Sequence, residues 1–413
     1  LVPTEVGNDI RFSKKTLTDE KLRQMVIDAA GSYQKLEGVL VPQMIEYRTL
    51  VRLMDRLKQL QAQGAWAPLG NFKKPLRFNS VDTVVGRIKT RLVALGYTIT
   101  NMDNKFDTET QQAVGDIQRV LKMNPDFIVS PGGSTIRYLE TSLEARLAQV
   151  RADLEKLRWL PQDPKSRYIF VNLAFSSLLL MDYNEANPVV FNFKTINGRF
   201  ERKTPSMVDK IYQVILNPFW TIPPTVFLKD KVEALQGLGP WEIREFFDRN
   251  HYYVVSENFR TQYDPTMIDW HNITSSRVGF FIRQRPNYSN ALGVVKFSLT
   301  NGEAIYLHDT GERELFNQSN RLLSSGCVRV EKPIDLAEYV LRGTQWNRFA
   351  IENHVARPGE VLSRETPIEI KNTIPVYMLP VTSHYASDGV MRFTADVYGH
   401  NQSINDQVQF RVF

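Results

Sequence analysis

Ser324-Ser-Gly-Cys-Val-Arg-Val330, with Tyr306-Leu-His-Asp-Thr310 upstream of it, holds the single cysteine of the 413-residue chain. His308 stands 19 positions before Cys327. The thiolate, not the thiol, is the nucleophile, and a neighbouring imidazole is the usual means of making it near neutral pH. Apolar and polar residues alternate in Ile305-Tyr-Leu and Val328-Arg-Val, as in short strands. Two such strands, joined by the polar run from Thr310 to Asn320, would bring His308 and Cys327 together. Gly326 lacks a Cβ, so the backbone can bend there, and the N–H groups of Gly326 and Cys327 would face a developing oxyanion. Residue type alone leaves a plainer alternative open, a buried apolar cysteine and an ordinary hydrogen-bonded histidine.

Outward from this pair, Gly293-Val-Val-Lys-Phe-Ser-Leu299 reads as a largely apolar strand. Tyr168-Ile-Phe-Val-Asn-Leu173 and Leu178-Leu-Leu-Met-Asp-Tyr183 read the same way, and Asn197-Gly198 signals a turn after Asn192 to Ile196. Pro375 to Leu379 and Met391 to Gly399 read as a hairpin around Ser387-Asp-Gly389. Between 226 and 285 the strand pattern breaks, with helical spacing at Lys229 to Leu235 and Ile243 to Phe247. An insertion of that length between strands of one sheet is usually a functional lid, and its Trp and Tyr content argues against disorder. His251 and His271 lie too far apart for a zinc motif, and no HExxH spacing occurs. After Cys327, Ile334 to Leu341 reads as a helix.

The first part of the chain is helical in pattern. Leu22, Met25, Val26 and Ala29 recur at helical spacing, as do Met44, Val51, Met54, Leu57 and Leu60. Val85, Ile88, Leu92 and Leu95 form one face of a second unit, followed by Thr110, Ala113, Val114, Ile117 and Leu121 behind a cap at Asp107 or Thr108. From Leu139 to Leu157 leucines and Val150 step by four and three, which predicts one solvated connecting helix of about 24 residues ending before Pro161. The expected architecture is an α+β multidomain chain. It comprises a helical region at 1–75, a three-helix module at 76–147, a connecting helix at 148–166, a mainly β domain at 167–399 with a lid inserted at about 226–285, and a tail at 400–413.

Composition is that of a globular protein, 42% hydrophobic and 23% charged, with net charge +6 and pI near 9.1. No Lys/Arg run of five or more appears, which argues against nucleic acid, while an anionic polymer suits the charge. One cysteine excludes an intrachain disulfide. No apolar run reaches the 18 residues of a membrane span, and the chain begins at Leu1 without a signal-like segment, as a mature or trimmed product would. Nucleotide and metal motifs are absent, so no cofactor is expected.

His308 followed by Ser325-Gly-Cys-Val-Arg329 resembles the signature of the L,D-transpeptidases, the YkuD-domain family. Ile215-Leu-Asn-Pro-Phe-Trp-Thr-Ile-Pro-Pro224, Gly293-x-x-Lys-Phe297 and Asp396-Val-Tyr-Gly399 resemble the larger Gram-negative enzymes of the YcbB type. Arg91-Leu-x-x-Leu-Gly-Tyr97, Phe106-Asp-x-x-Thr110, Ala113-Val-x-x-Ile-Gln118 and Ser130 to Leu139 are similar to the three-helix peptidoglycan-binding module, although their apolar positions also suit a plain scaffold. Many members carry His where Ser325 stands, so a second imidazole is missing here.

The resemblance implies a YkuD-like sheet or sandwich with a capping insertion. It makes Cys327 the nucleophile of a thioester mechanism, His308 the general base and acid, and the backbone carbonyl of Asp309 the group that orients His308. Strand alternation puts Tyr306 on the face of His308 and Arg329 on that of Cys327, so these two and Ser325 are candidate substrate contacts. The implied substrates are tetrapeptide stems of peptidoglycan, as donor and acceptor of a 3–3 diaminopimelate cross-link with release of D-alanine. Cell-wall synthases as partners, carbapenems as thiol-acylating inhibitors, and a Gram-negative periplasm belong to the same implication, with an inner-membrane anchor if a leading segment is absent. An L,D-carboxypeptidase, an unrelated Cys/His peptidase and a non-catalytic wall-binding protein remain as alternatives.

Overall fold

A computed structural model of the protein describes residues 3–12, 19–32, 35, 41–161, 166–223, 226–385 and 387–409. The start of the chain is not purely helical, because Ile10–Arg11 (β1) pairs in parallel with Ser206 and Met207 of the β domain. In Asp19–Asp28 (α1) Val26 is exposed, so the apolar stripe expected there is not a packing face throughout. The side chain of Leu22 lies outside the described residues. Ile45–Ala62 (α2) buries Tyr47, Leu50, Leu53, Leu57 and Leu60 and turns Val51 outward.

Thr83–Ala94 (α3), Thr108–Val120 (α4) and Ser134–Glu140 (α5) form the small module. Asp82 and Asp107 cap the first two by accepting from the N–H groups of Val84 and Thr110. The long helix expected through this region is broken at Thr141. Ser142 accepts from Ala145 N–H and opens a new helix, Leu143–Arg158 (α6). Apolar periodicity is blind to a serine that offers the backbone a cap in place of the next helical bond. Nor is α6 a solvated connector, since Leu143, Val150, Leu154 and Leu157 are buried along with Arg146, Asp153 and Lys156. Lys156 is satisfied by Asp153, by the Pro380 carbonyl at 2.7 Å and by Asn401 Oδ1 at 2.6 Å.

The β domain follows with Arg167–Asn172 (β2), Ser177–Asp182 (β3), Val189–Gly198 (β4) and Ser206–Leu216 (β5). A separate four-stranded sheet, Trp220–Thr221 (β6), Tyr252–Ser256 (β7), Gln262–Tyr263 (β8) and Phe280–Gln284 (β9), holds the inserted segment with the helix Pro240–Arg249 (α7). This insertion, the expected lid, has its own apolar core, including Ile222, Phe227, Ile243, Phe247, Val254, Trp270 and Ile282. Pro224 lies outside the described residues. The chain then returns through Val295–Leu299 (β10), Leu307–His308 (β11), Leu322–Ser324 (β12) and Val328–Val330 (β13). Pro333–Val340 (α8), Arg348–His354 (α9), Thr366–Leu379 (β14), Ser383–Tyr385 (β15), Met391–Phe393 (β16) and Asn401–Gln409 (α10) complete it.

The main strands run β5-β10-β11-β13-β4-β3-β2-β14, and β14 also pairs with β5, so the sheet closes on itself and its central strands have no free edge. Strand alternation sorts the two faces: Ile169 and Val171 fill the enclosed core, while Tyr168 and Phe170 pack against the helical layer.

Three local expectations are corrected. Asn197-Gly198 does not turn a hairpin; Asn197 is buried at the end of β4 and donates to the Leu173 carbonyl at 3.1 Å. A Cβ on Gly198 would sit 2.3 Å from the Arg202 carbonyl, so the glycine serves close backbone approach. The strand preceding Ser387-Asp-Gly389 is Ser383–Tyr385, not Pro375 to Leu379, which belongs to the main sheet. Asp396 to Gly399 is a loop, and within the expected tail Asn401–Gln409 is the helix α10, packed against α6.

Candidate active site

Register builds the site. β11 lies between β10 and β13, with His308 opposite Lys296 on one side and Arg329 on the other. Leu307 and Val328 pair on the alternate face and are fully buried in the core. Tyr306, His308, Cys327, Arg329 and Lys296 therefore share the opposite face, with Cys327 beside Tyr306. The Val328 N–H donates to the Tyr306 carbonyl at 3.0 Å and fixes that offset.

Nδ1 of His308 contacts the backbone carbonyl of Asp309. A carbonyl only accepts, so Nδ1 carries the proton and Nε2 keeps its lone pair. The Asp309 carboxylate faces elsewhere, accepting from Val294 N–H at 2.9 Å and from Arg313. Gly293, at φ +59°, leaves room for it, since a Cβ there would lie 2.2 Å from that carboxylate.

Burial, then Arg329 and Lys296, pushes His308 down to about 3, against the pull of the Asp309 carbonyl. Burial also pushes the Cys327 thiol up, opposed by the hydrogen bond at the Tyr306 backbone and by Lys296 and Arg329. The resting pair at neutral pH is thus a thiol and a neutral imidazole.

The thiol is turned toward the Ala304 carbonyl at 3.5 Å, and among the described residues no hydrogen bond joins it to His308. Topology brings the two strands together and sets both side chains on one face, with no hydrogen bond between them among the described residues. Gly326 is held at φ +126°, where an L side chain is disfavoured, but its N–H donates to Ser324 Oγ at 3.2 Å. Ser324 Oγ in turn donates to the Cys327 carbonyl at 2.6 Å. The oxyanion role expected of Gly326 N–H is not available in this arrangement.

Ser325 Oγ accepts from Arg202 at 2.9 Å. Arg329 donates to Thr310 Oγ1 at 3.2 Å and to Glu312 at 2.6 Å, which ties β13 to the loop after His308. Lys296 enters the sequence reading only within Gly293-x-x-Lys-Phe297, with no role in the site, yet its Nζ lies 3.7 Å from the centroid of Tyr306. The available signal was the one charged residue in the run Val294 to Leu299, which is apolar apart from it and Ser298. Arg202 carried no such signal, because it reaches the site across 123 residues of sequence.

Residues 166–347 match the family described as "L,D-transpeptidase catalytic domain" (YkuD), and residues 82–132 match the family described as "Putative peptidoglycan binding domain". A curated protein of Haemophilus influenzae named "Putative L,D-transpeptidase" is 32% identical over 293 residues, which is 68% of this chain and 56% of that protein. The chain thus spans little more than half the length of that relative. Crystal structures of L,D-transpeptidases from Stackebrandtia nassauensis (12% identical, TM-score 0.27) and Xylanimonas cellulosilytica (15%, TM-score 0.23) superpose only loosely. They cover 75% and 76% of this chain and 95% and 100% of their own. Residues 166–347 thus carry the match to the YkuD family of L,D-transpeptidase catalytic domains.

Proposed function

We propose that this protein is a cysteine acyltransferase that joins peptidoglycan stem peptides through 3–3 diaminopimelate links. The observation that carries the reading is Cys327 on the same face as a neutral His308 whose Nδ1 is held by the Asp309 carbonyl. Rotation about the Cys327 Cα–Cβ bond turns Sγ from Ala304 toward Nε2. Sulfur adds to the carbonyl between diaminopimelate and terminal D-alanine while Nε2 takes the thiol proton. The C–N bond then breaks, the proton passes to the departing D-alanine amine, and a thioester remains. The side-chain amine of a second stem attacks it and loses a proton to Nε2. As the C–S bond breaks, that proton returns to sulfur.

Cys327 N–H is the remaining candidate oxyanion donor, and Tyr306 and Arg329 are placed to meet substrate. A carboxylate bound between Lys296 and Arg329 would offset the charges that depress His308, making it a better base when substrate arrives. The periplasm is the compartment where such a substrate occurs, and carbapenems would acylate the same sulfur.

The test is mass spectrometry of tetrapeptide muropeptides incubated with wild type and with Cys327→Ser. Cross-linked dimers from wild type alone support the reading. Shortened stems alone indicate an L,D-carboxypeptidase, and unchanged fragments with an unreactive thiol leave only wall binding.

A further inference from the structure

A cleft of about 590 Å³ runs between the small module and the β domain, away from Cys327 and its neighbours. Arg119 and Lys122 at the end of α4 form one wall, while Lys194 and Arg321 line the other side and Arg392 completes it. Asp116 is the one carboxylate among the residues lining it. It is taken by Tyr97 at 2.7 Å and Arg392 at 2.9 Å, and Lys194 pairs with Glu331 at 3.3 Å. Among the described residues Arg321 donates to backbone carbonyls, those of Thr195, Gln318, Phe175 and Ser176, and feels the charge of Glu331. Among the described residues no carboxylate pairs with Arg119, Lys122 or Arg321. Lys122 is half-buried beside Arg321, and burial with that like charge pushes its ammonium down to about 8. Arg119 is exposed and Arg321 lies within reach of the Glu331 charge, so the imprint of an anion is in the balance of the lining: Arg119, Lys122, Lys194, Arg321 and Arg392 surround a single carboxylate, Asp116.

Phe127, Phe175 and Phe316 supply apolar surface among these charges. The wall from Phe316 to Arg321 runs straight into β12 and reaches Cys327 six residues after Arg321 (327 − 321). We infer that this cleft is a second binding site, which takes the carboxylates of a peptidoglycan stem peptide and leads the strand toward Cys327. The inference rests on the proposed function for its choice of ligand, since the cavity itself asks for a multiply carboxylated peptide with apolar parts.

The test uses the full chain as Cys327→Ala, so that binding is read without turnover. Its probes are a disaccharide tetrapeptide and the same molecule with its carboxylates amidated, followed by calorimetry. Arg119→Gln/Lys122→Met should weaken binding of the first probe about tenfold, the effect of one lost charge-assisted contact. Amidation should weaken binding to the parent by a similar factor. Equal affinity of parent and double variant, equal affinity for both probes, or tighter binding of an oligonucleotide than of the muropeptide overturns the assignment. If the double variant does not fold, protection of Lys122 from amine acylation by the muropeptide, read by peptide mapping on the parent, decides instead. A wild type that never acylates defeats the proposed function while leaving the binding result standing.

Discussion

Arg202 donates at 2.9 Å to Ser325 Oγ, two residues before the proposed nucleophile, while the same guanidinium grips Asp230 of the lid through both carboxylate oxygens at 2.8 and 2.9 Å. One side chain therefore bridges the turn that carries Cys327 and the helical segment Phe227–Leu235 that begins the lid. A forked guanidinium suits such a double contact, whereas an ammonium would hold one partner at a time.

Asp230→Asn should loosen this bridge. Partly exposed ion pairs contribute about 0.5–1 kcal/mol, so hydrogen exchange in Phe227–Leu235 and labelling of Cys327 by a bulky thiol reagent should quicken about two- to five-fold. The Arg202 hydrogen bond holds the Asp230 carboxyl below its ordinary range, so the bridge persists above pH 4 and is lost only in stronger acid. Exchange rates identical to wild type would dismiss the bridge as a restraint on the lid.

The resting thiol and imidazole are both neutral, which shapes the pH profile of the free protein. Alkylation of Cys327 by iodoacetamide should climb about tenfold per pH unit from 7 to 9, since less than about 1% of a thiol titrating above 9 is ionised at pH 7. A flat, fast plateau from pH 5 to 8 would instead signal a standing thiolate–imidazolium pair. His308→Ala should leave that alkylation profile nearly in place but lower acylation by a stem peptide about 10²–10⁴-fold, the usual contribution of a positioned base.

Lys296→Met probes the cation beside both groups. Removing it should raise the apparent pKa of Cys327 further and let that of His308 climb from about 3 toward its ordinary value. Alkylation at pH 7 should therefore slow, and the imidazole signals of His308 in NMR should titrate at higher pH than in wild type. An unmoved His308 titration would remove Lys296 from the electrostatics of the site.

Glu46 tests the helical layer. One carboxylate oxygen accepts from Tyr168 Oη at 2.8 Å, the other is buried without a partner among the described residues, and burial pushes the group up to about 7. Its folded value exceeds its unfolded one, so its stabilising contribution is fully present below about pH 4.5 and is lost as pH rises through about 7. Glu46→Gln should lose that dependence. In thermal melts the variant should gain on wild type between pH 5 and 8, and parallel melting temperatures across that range would refute the assignment.

Much of the site was legible because its signals are local. A lone cysteine after glycine, a histidine in an alternating run, and a break in strand pattern at the lid are each read within a few residues. What escaped depends on distant pairing. Ile10 joining Ser206, β14 closing the sheet onto β5, and Arg202 reaching Ser325 have no periodicity to announce them. Lys296 showed itself as an odd residue in an apolar strand, but only register reveals that it stands beside His308. The break at Ser142 was missed because leucine spacing continues across it while the backbone does not.

Gripped along its length, α6 fixes more than the separation of the parts it joins. Asp153 accepts from Thr382 N–H at 3.0 Å and Lys156 reaches Pro380 and Asn401, so the helix is keyed to the C-terminal segment at a set azimuth. Each residue added to a helix swings whatever follows by about 100°. One inserted residue between Ser142 and Asp153 would swing the aromatic-lined junction past its opposite bank, whereas a full turn would restore the bearing. Length in this helix is therefore an angular variable, and an insertion series scored by wall attachment would show peaks at whole turns.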